Sequence, residues 1–133
     1  MKKKCIAHIE CGKDGFYSVY TEEVFPFGFF GEGSNAQEAK EDFLNLFDAM
    51  RKDHFQRTGE MVEADFVFVY DASAFLQHYK GILTLSGLSS ITGINKVQLS
   101  QYVRGRRHPS QKTQQKIKAS VISFAEELKR AMA

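Results

Sequence analysis

Leu85 to Ser110 read LSGLSSITGINKVQLSQYVRGRRHPS, and the pattern predicts two short helices joined by a tight turn. Ser86 stands where it caps the first helix, expected over about Gly87–Thr92. Gly93 stops that helix, because glycine alone enters the left-handed region at little cost. Ile94 follows as an apolar turn residue, and Asn95 is placed to cap a second helix running to about Arg104. Leu88, Ile91, Ile94, Leu99 and Val103 form the expected inner faces. Asn95, Lys96, Val97, Gln98 and Gln101 are left near the exposed N-terminal end of the second helix. GRRHP then supplies a glycine stop and three consecutive residues that are basic or can become so.

These residues resemble the helix-turn-helix of the lambda-repressor-like (XRE-type) DNA-binding proteins. The turn glycine, the apolar residue after it, the apolar residue five further on and the GRRxPS-like exit carry the resemblance. Ser89 stands where alanine is commonest, and Thr92 replaces the usual leucine before the glycine. A helix of this width fits the major groove, where Asn and Gln pair with adenine and Lys reaches guanine acceptors. Asn95, Lys96, Val97, Gln98 and Gln101 are therefore the candidate base contacts. Arg104, Arg106, Arg107 and Lys112 are the candidate phosphate contacts, which fix register without reading sequence. The free amides of the first helix, at Ser86, offer a further phosphate site. The alternative is a scaffold whose arginines are merely solvated.

Working outward, 133 residues suffice for one or two small domains. No run approaches a membrane span and MKKKCIAHIE lacks a signal-peptide apolar region, so a soluble, cytoplasmic chain is expected. Cys5 and Cys11 are too few for a disulfide framework and wrongly spaced for zinc. The net charge of +2 conceals a division. Residues 1–72 hold 8 Lys plus Arg against 14 Asp plus Glu, and residues 73–133 hold 10 against 2. Opposite balances of −6 and +8 point to two partners of opposite charge.

Before the basic half, KCIAHIE and FYSVYT flank a turn at Lys13, Asp14 and Gly15, the pattern of a β-hairpin. FGFFGEG reads as a third strand, with Gly28 and Gly31 suggesting a bulge or close backbone approach. A helix follows, with Asn35 and Glu38 as a capping box and Ser34 as the competing cap. Ala36, Ala39, Phe43, Leu46, Phe47 and Met50 form its apolar stripe. Thr58 and Gly59 break it, and ADFVFVYD is a fourth strand. A helix carrying Phe75, Leu76 and Tyr79 comes next, capped by Asp71 or Ser73 and ending near Gly81. Ser110 caps the last helix, whose stripe of Ile117, Val121, Phe124 and Leu128 is long enough to bury partly against a second copy.

GKDGFYSVYTEE and FGFFGEGSNAQEA, in that order, resemble the N-terminal domain of HicB-type antitoxins, and the continuation into YDASAFLQHYKGILTLSGLSSITGIN is similar to a sub-group with an attached helix-turn-helix. The fold class expected is α+β. A small HicB-like, trimmed ribonuclease-H-like β-β-β-α-β domain over 1–71 precedes an all-α lambda-repressor-like helix-turn-helix domain over 72–133. The resemblance implies an antitoxin that occludes a small basic HicA-type ribonuclease, represses its own operon on operator DNA and forms a homodimer or larger assembly. An acidic surface can compete with RNA for a basic site, which makes Glu22 and Glu23 candidate toxin contacts. Val24–Phe30, VFPFGFF, is either an interface or core. No enzymatic role, cofactor or metal is expected: Asp14, Glu22, Glu23, Glu38, Asp42 and Asp48 do not gather at strand centres as two-metal hydrolysis requires. His8, His54, His78 and His108 read as ordinary surface or boundary residues. The rival readings are a stand-alone regulator whose N-terminal domain senses a ligand or only dimerises, and a nuclease.

Overall fold

The computed structural model describes residues 2–12 and 14–133; Lys13, expected in the hairpin turn, lies outside the described residues. Among the described residues the fold is mixed α+β, with one four-stranded sheet and five helices. Its contacts divide into two units, one ending at Asp71 and one beginning at Ala72.

In the first unit, β1 (Lys3–Cys11) pairs antiparallel with β2 (Tyr17–Thr21), placing His8 opposite Tyr20 and Ile9 opposite Val19. The turn closes as the Gly12 amide donates to the Phe16 carbonyl (2.9 Å), with Gly15 at φ 83° and the Asp14 carboxylate accepting from the Phe16 amide (3.0 Å). The third strand is shorter than FGFFGEG suggested. Only Gly31–Gly33 (β3) joins the sheet, beside β2. The preceding phenylalanines are not paired; they alternate, with Phe25, Phe27 and Phe29 half-buried and Val24, Pro26, Gly28 and Phe30 exposed. Close approach occurs at Gly31 and Gly33 and not at Gly28, which has open space around it. A Cβ on Gly33 would lie 2.6 Å from the Ala39 amide nitrogen, so β3 lies against the next helix only because it lacks side chains.

That helix, α1 (Ala36–Thr58), starts at Asn35, whose Oδ1 accepts from the Glu38 amide at 2.9 Å. The Glu38 carboxylate in turn accepts from the Ser34 hydroxyl (2.7 Å) and amide (3.1 Å), so both candidate cap residues are used. Gly59, at φ 78°, ends it. Its buried stripe is Ala36, Ala39, Phe43, Phe47 and His54; Leu46 of the expected stripe stays 37% exposed. The chain returns as β4 (Ala64–Tyr70), parallel to β1, giving the order β3-β2-β1-β4. Phe66 and Phe68 of β4 meet Phe43 edge-on, at ring centroids 4.8 and 6.0 Å, and Phe25, Phe27, Phe29 and Phe47 complete the cluster. VFPFGFF is thus divided. Its alternate phenylalanines are core, and the segment does not extend the sheet.

The second unit contains α2 (Ala72–Tyr79), α3 (Leu85–Thr92), α4 (Lys96–Val103) and α5 (Gln111–Met132). Leu76, Leu88, Ile94, Leu99, Tyr102 and Ile117 form its core, with Val103 and Val121 packed at the margin. Two cap assignments change. Thr84, not Ser86, caps α3, accepting from the Gly87 amide at 3.0 Å, and Ser86 is the second helical residue. Ser73 is likewise inside α2 and not its cap. The α3–α4 connection follows the sequence: Gly93 at φ 74° stops α3, and the Asn95 side chain accepts from the Gln98 amide at 2.8 Å. Thr92, the last residue of α3, turns inward. Its hydroxyl donates to the Leu88 carbonyl (2.7 Å) and accepts from the Ile94 amide (3.2 Å), which ties the turn to the helix before it. Ser110 caps α5.

Candidate nucleic-acid interface

Burial of Leu99 and Tyr102 fixes which way α4 faces. At about 100° per residue, Val97, Ser100, Gln101 and Arg104 fall on the side away from that pair. Val97 is 73% exposed and Gln101 partly so, with Lys96 exposed at the first turn. The five candidate base contacts therefore do not stand alike. Lys96, Val97 and Gln101 are presented outward. The Asn95 carbonyl oxygen is engaged as the cap, leaving its amide N–H groups. Gln98 lies on the flank, half-buried, its amide donating to the Tyr102 hydroxyl at 2.6 Å. Ser100, partly exposed on the outer face, was not singled out by sequence, since a serine carries no base-specific signal.

Beneath α4, the basic exit is held in one conformation. Gly105 turns the chain at φ 71°, and the Gln101 carbonyl accepts from the amides of Arg106 (2.9 Å) and Arg107 (3.3 Å). Pro109 is buried and its carbonyl accepts from the Gln114 side chain at 3.2 Å. The His108 ring Nδ1 meets the hydroxyl of buried Ser73 at 3.1 Å. The side chains of Arg104, Arg106 and Arg107 project from this anchored loop, all three exposed, and Lys112 is exposed in the first turn of α5. At the N-terminus of α3, the amides of Leu85 and Ser86 precede the first one that the Thr84 cap engages. These are the free donors expected near Ser86. His108, Ser73, Gln114 and Tyr102 hold this arrangement and were missed by sequence reading. A Ser–His pair separated by 35 residues leaves no local pattern.

In the first unit, Glu22 and Glu23 are exposed in the loop after β2, and Glu23 is already paired with Lys3 at 3.0 Å. That carboxylate holds the Lys3 ammonium above its usual range through a hydrogen bond and charge attraction. The sheet face opposite α1 is open. It shows Ile6 and Val67, each 51% exposed, and Val69, beside a stacked His8–Tyr20 pair with ring centroids at 5.2 Å. Tyr20 also donates to Glu10 (2.9 Å); burial first, then that bond, pushes its phenol up to about 12. The signal for this face was the run DFVFVY, apolar on both alternations. His54 is buried against Phe27, at a ring distance of 5.8 Å, with Nε2 3.0 Å from the Glu60 carboxylate; it is not a surface residue. Among the described residues no three or more His, Cys, Asp or Glu side chains gather so that they could hold a metal ion. None of the described helices is long and apolar enough to cross a membrane.

No protein-family model matches the chain. The comparisons with curated proteins and with solved structures also give no significant match.

Proposed function

We propose that this chain is a sequence-reading DNA-binding antitoxin, in which α3 and α4 act as a helix-turn-helix and the first unit captures a small basic ribonuclease. The observation that carries the DNA reading is the outward row of Val97, Gln101 and Arg104 above a basic loop pinned through Gln101, Ser73 and Gln114. Binding DNA costs side-chain and loop entropy, and a loop already ordered loses less. Gln101 and Lys96 supply base-edge donors and acceptors, Val97 suits a thymine methyl, and Arg104, Arg106, Arg107 and Lys112 meet phosphates. The α3 amides at Leu85 and Ser86 add another phosphate contact. A homodimer on a palindromic operator follows from such geometry.

The ribonuclease-binding half of the reading rests on the resemblance to HicB-type domains, supported by the −6 balance of residues 1–72. The open sheet face offers apolar contact to such a partner, while Glu22, Glu23 and their acidic neighbours steer its approach. Repression of its own operon and neutralisation of the toxin are then two outputs of one chain in the cytoplasm, with no catalytic step of its own.

The test titrates the full chain on duplex from its own promoter and on random duplex. Gln101→Ala weakens promoter binding by about 1–3 kcal/mol and random binding far less. Arg106→Ala weakens both alike and flattens the salt dependence by about one unit. If Gln101→Ala is harmless on both, α4 is not the reading helix. Co-purification with the small basic protein encoded beside it, followed by a ribonuclease assay, tests the other half. A neighbour that neither binds nor loses nuclease activity leaves a stand-alone regulator in its place.

A further inference from the structure

The two edges of the sheet are guarded differently. At one edge β3 is three residues long, carries Glu32 and lies close against α1; so short an edge offers little to pair with. At the other edge β4 runs for seven residues, ADFVFVY, with no strand beyond it among the described residues. Natural edges are blunted with lysine, proline, a bulge or a cover. Between Ala64 and Tyr70 there is no lysine, proline or glycine, and Asp65 is the one charge. The Asp71 amide donates to the Ile9 carbonyl at 2.9 Å, which fixes the phase of the pairing with β1. Backbone groups alternate sides along such a strand. Val67 and Val69 therefore point theirs to β1, and Phe66 and Phe68 point theirs to the open edge. Helix α1 packs mainly over β3 and β2. Cys5, Ala7 and Ile9 of β1 are sealed beneath it, while the rings of Phe66 and Phe68 stay partly open on the edge side. Lys40 of α1 borders that opening, its ammonium 5.5 Å from the Phe68 ring, and Leu44, one turn on, is exposed beside it.

We propose that the β4 edge takes an extended segment of another protein as a fifth strand, apolar at its middle and basic at its two ends. The edge supplies the backbone half of that contact. The N–H and C=O groups of Phe66 and Phe68 are what an added strand bonds to, along an edge about 23 Å long. The side chains choose the occupant. On the outer face Val67 and Val69 are both exposed, with Glu63 and Asp65 before them and Asp71 after. All five share that face by the two-residue period. Asp65 is met by Lys2 at 3.8 Å, both more than half exposed, and Glu63 forms no ion pair among the described residues. A strand laid alongside meets apolar surface at its centre and carboxylates toward both ends, which suits cations there. On the inner face Lys40 stands over the Phe68 and Tyr70 rings, so the residues turned inward are apolar and not basic. A second copy of β4 does not fit. The antiparallel register that overlaps all seven residues sets Glu63 opposite Asp71, carboxylate against carboxylate. The inference concerns the edge of the sheet and not its open face. It goes beyond the ribonuclease reading, since any protein that offers such a strand fits.

The probe is a peptide as long as β4, with lysine at both ends and valine alternating with threonine between. Its twin carries glutamate at the ends. Both are titrated on the full chain at low salt, and amide exchange is read with and without peptide. The lysine peptide is expected to bind about fivefold more tightly than its twin. Glu63→Lys reverses an exposed carboxylate, so it weakens the lysine peptide about fivefold and tightens the twin. Val67→Lys places a natural edge guard on the outer face and weakens the lysine peptide about tenfold, an unchanged unfolding midpoint showing that the fold holds. The exchange pattern is the sharper sign. In the free chain the Val67 and Val69 amides are slow and those of Phe66 and Phe68 fast, and the lysine peptide slows the second pair alone. Failure of the lysine peptide to bind at millimolar concentration overturns the proposal. So does binding that leaves Phe66 and Phe68 exchanging as before, since the contact is then on a face. Equal binding of the two peptides overturns the choice of a basic occupant. Slow Phe66 and Phe68 amides in the free chain that quicken on dilution give the edge to a second copy instead.

Discussion

The unit ending at Asp71 encloses aromatic rings, and the unit beginning at Ala72 encloses mostly aliphatic side chains. Ten of the 12 phenylalanines precede Asp71, and seven of them meet in one cluster that includes Phe43 and Phe66. The later unit is centred on Leu76, Leu88, Ile94, Leu99 and Ile117, with Tyr102 the one buried ring. Sheet and helix packing explain the division. A four-stranded sheet presents a wide, flat face to a single helix, and large rings fill that breadth. Three short helices packed with one long one leave narrower gaps, which branched aliphatic chains fill. The charge follows a related logic. The acidic unit covers its core with a long helix bearing Glu38, Glu41, Asp42 and Asp48, and the basic unit has its cations at α4, the exit loop and the start of α5.

The largest expected effect comes from breaking the aromatic side. Phe43 is fully buried and touches Phe29, Phe66 and Phe68. Phe43→Ala should destabilise the first unit by about 3–5 kcal/mol, measured by denaturant unfolding. Amide exchange at Leu88 and Leu99 should stay as it was; an equal loss there would show that the two cores do not fold as separate units.

A smaller effect, confined to the other side, is expected at Thr92. Valine keeps the shape but removes the hydroxyl that serves the Leu88 carbonyl and the Ile94 amide. Thr92→Val should cost about 1–3 kcal/mol through the unserved buried groups. Faster exchange at Ile94 with no change in the sheet amides is the expected signature. A stabilised variant would mean that the two hydroxyl bonds do not outweigh the gain from an apolar side chain at this buried position.

The smallest effect sharpens the comparison at two helix starts. Helix α1 relies on a carboxylate, since Ser34 donates side-chain and backbone hydrogen bonds that hold Glu38 below the ordinary range. A depressed carboxyl contributes stability above its unfolded value and loses it as pH falls through the folded one. Helix α5 has no acid in its first turn and relies on Ser110 and Thr113. Between pH 5 and about 3, exchange should therefore quicken at the first turn of α1 and not at that of α5. Equal quickening at both would remove the assignment of the capping box.

Read alone, the sequence was right at most positions where the cause was local. Gly93, Asn95, Asn35, Gly59 and Ser110 act through hydrogen bonds spanning three or four residues, and each sits where its chemistry required. Ser86 failed by two positions because Thr84 offers the same chemistry, and only the start of the α3 bonds distinguishes them. The third strand failed for a different reason. Alternation in Phe25, Phe27 and Phe29 marks a buried edge, and whether backbone pairing accompanies it depends on what lies alongside. Within the candidate interface, the outward residues of α4 were legible from the helical period, because burying Leu99 fixes the opposite face. Tyr102 as core, Ser73 as the anchor of His108, and the parallel join of β1 to β4 were not. Each depends on contacts between residues far apart in the chain, where many partners are chemically equivalent and only the folded geometry selects one. The sequence thus determined the order of the elements, most of their caps and the division of charge. The tertiary structure decided which rings fill the core, how the basic loop is held, and which long edge of the sheet is left open.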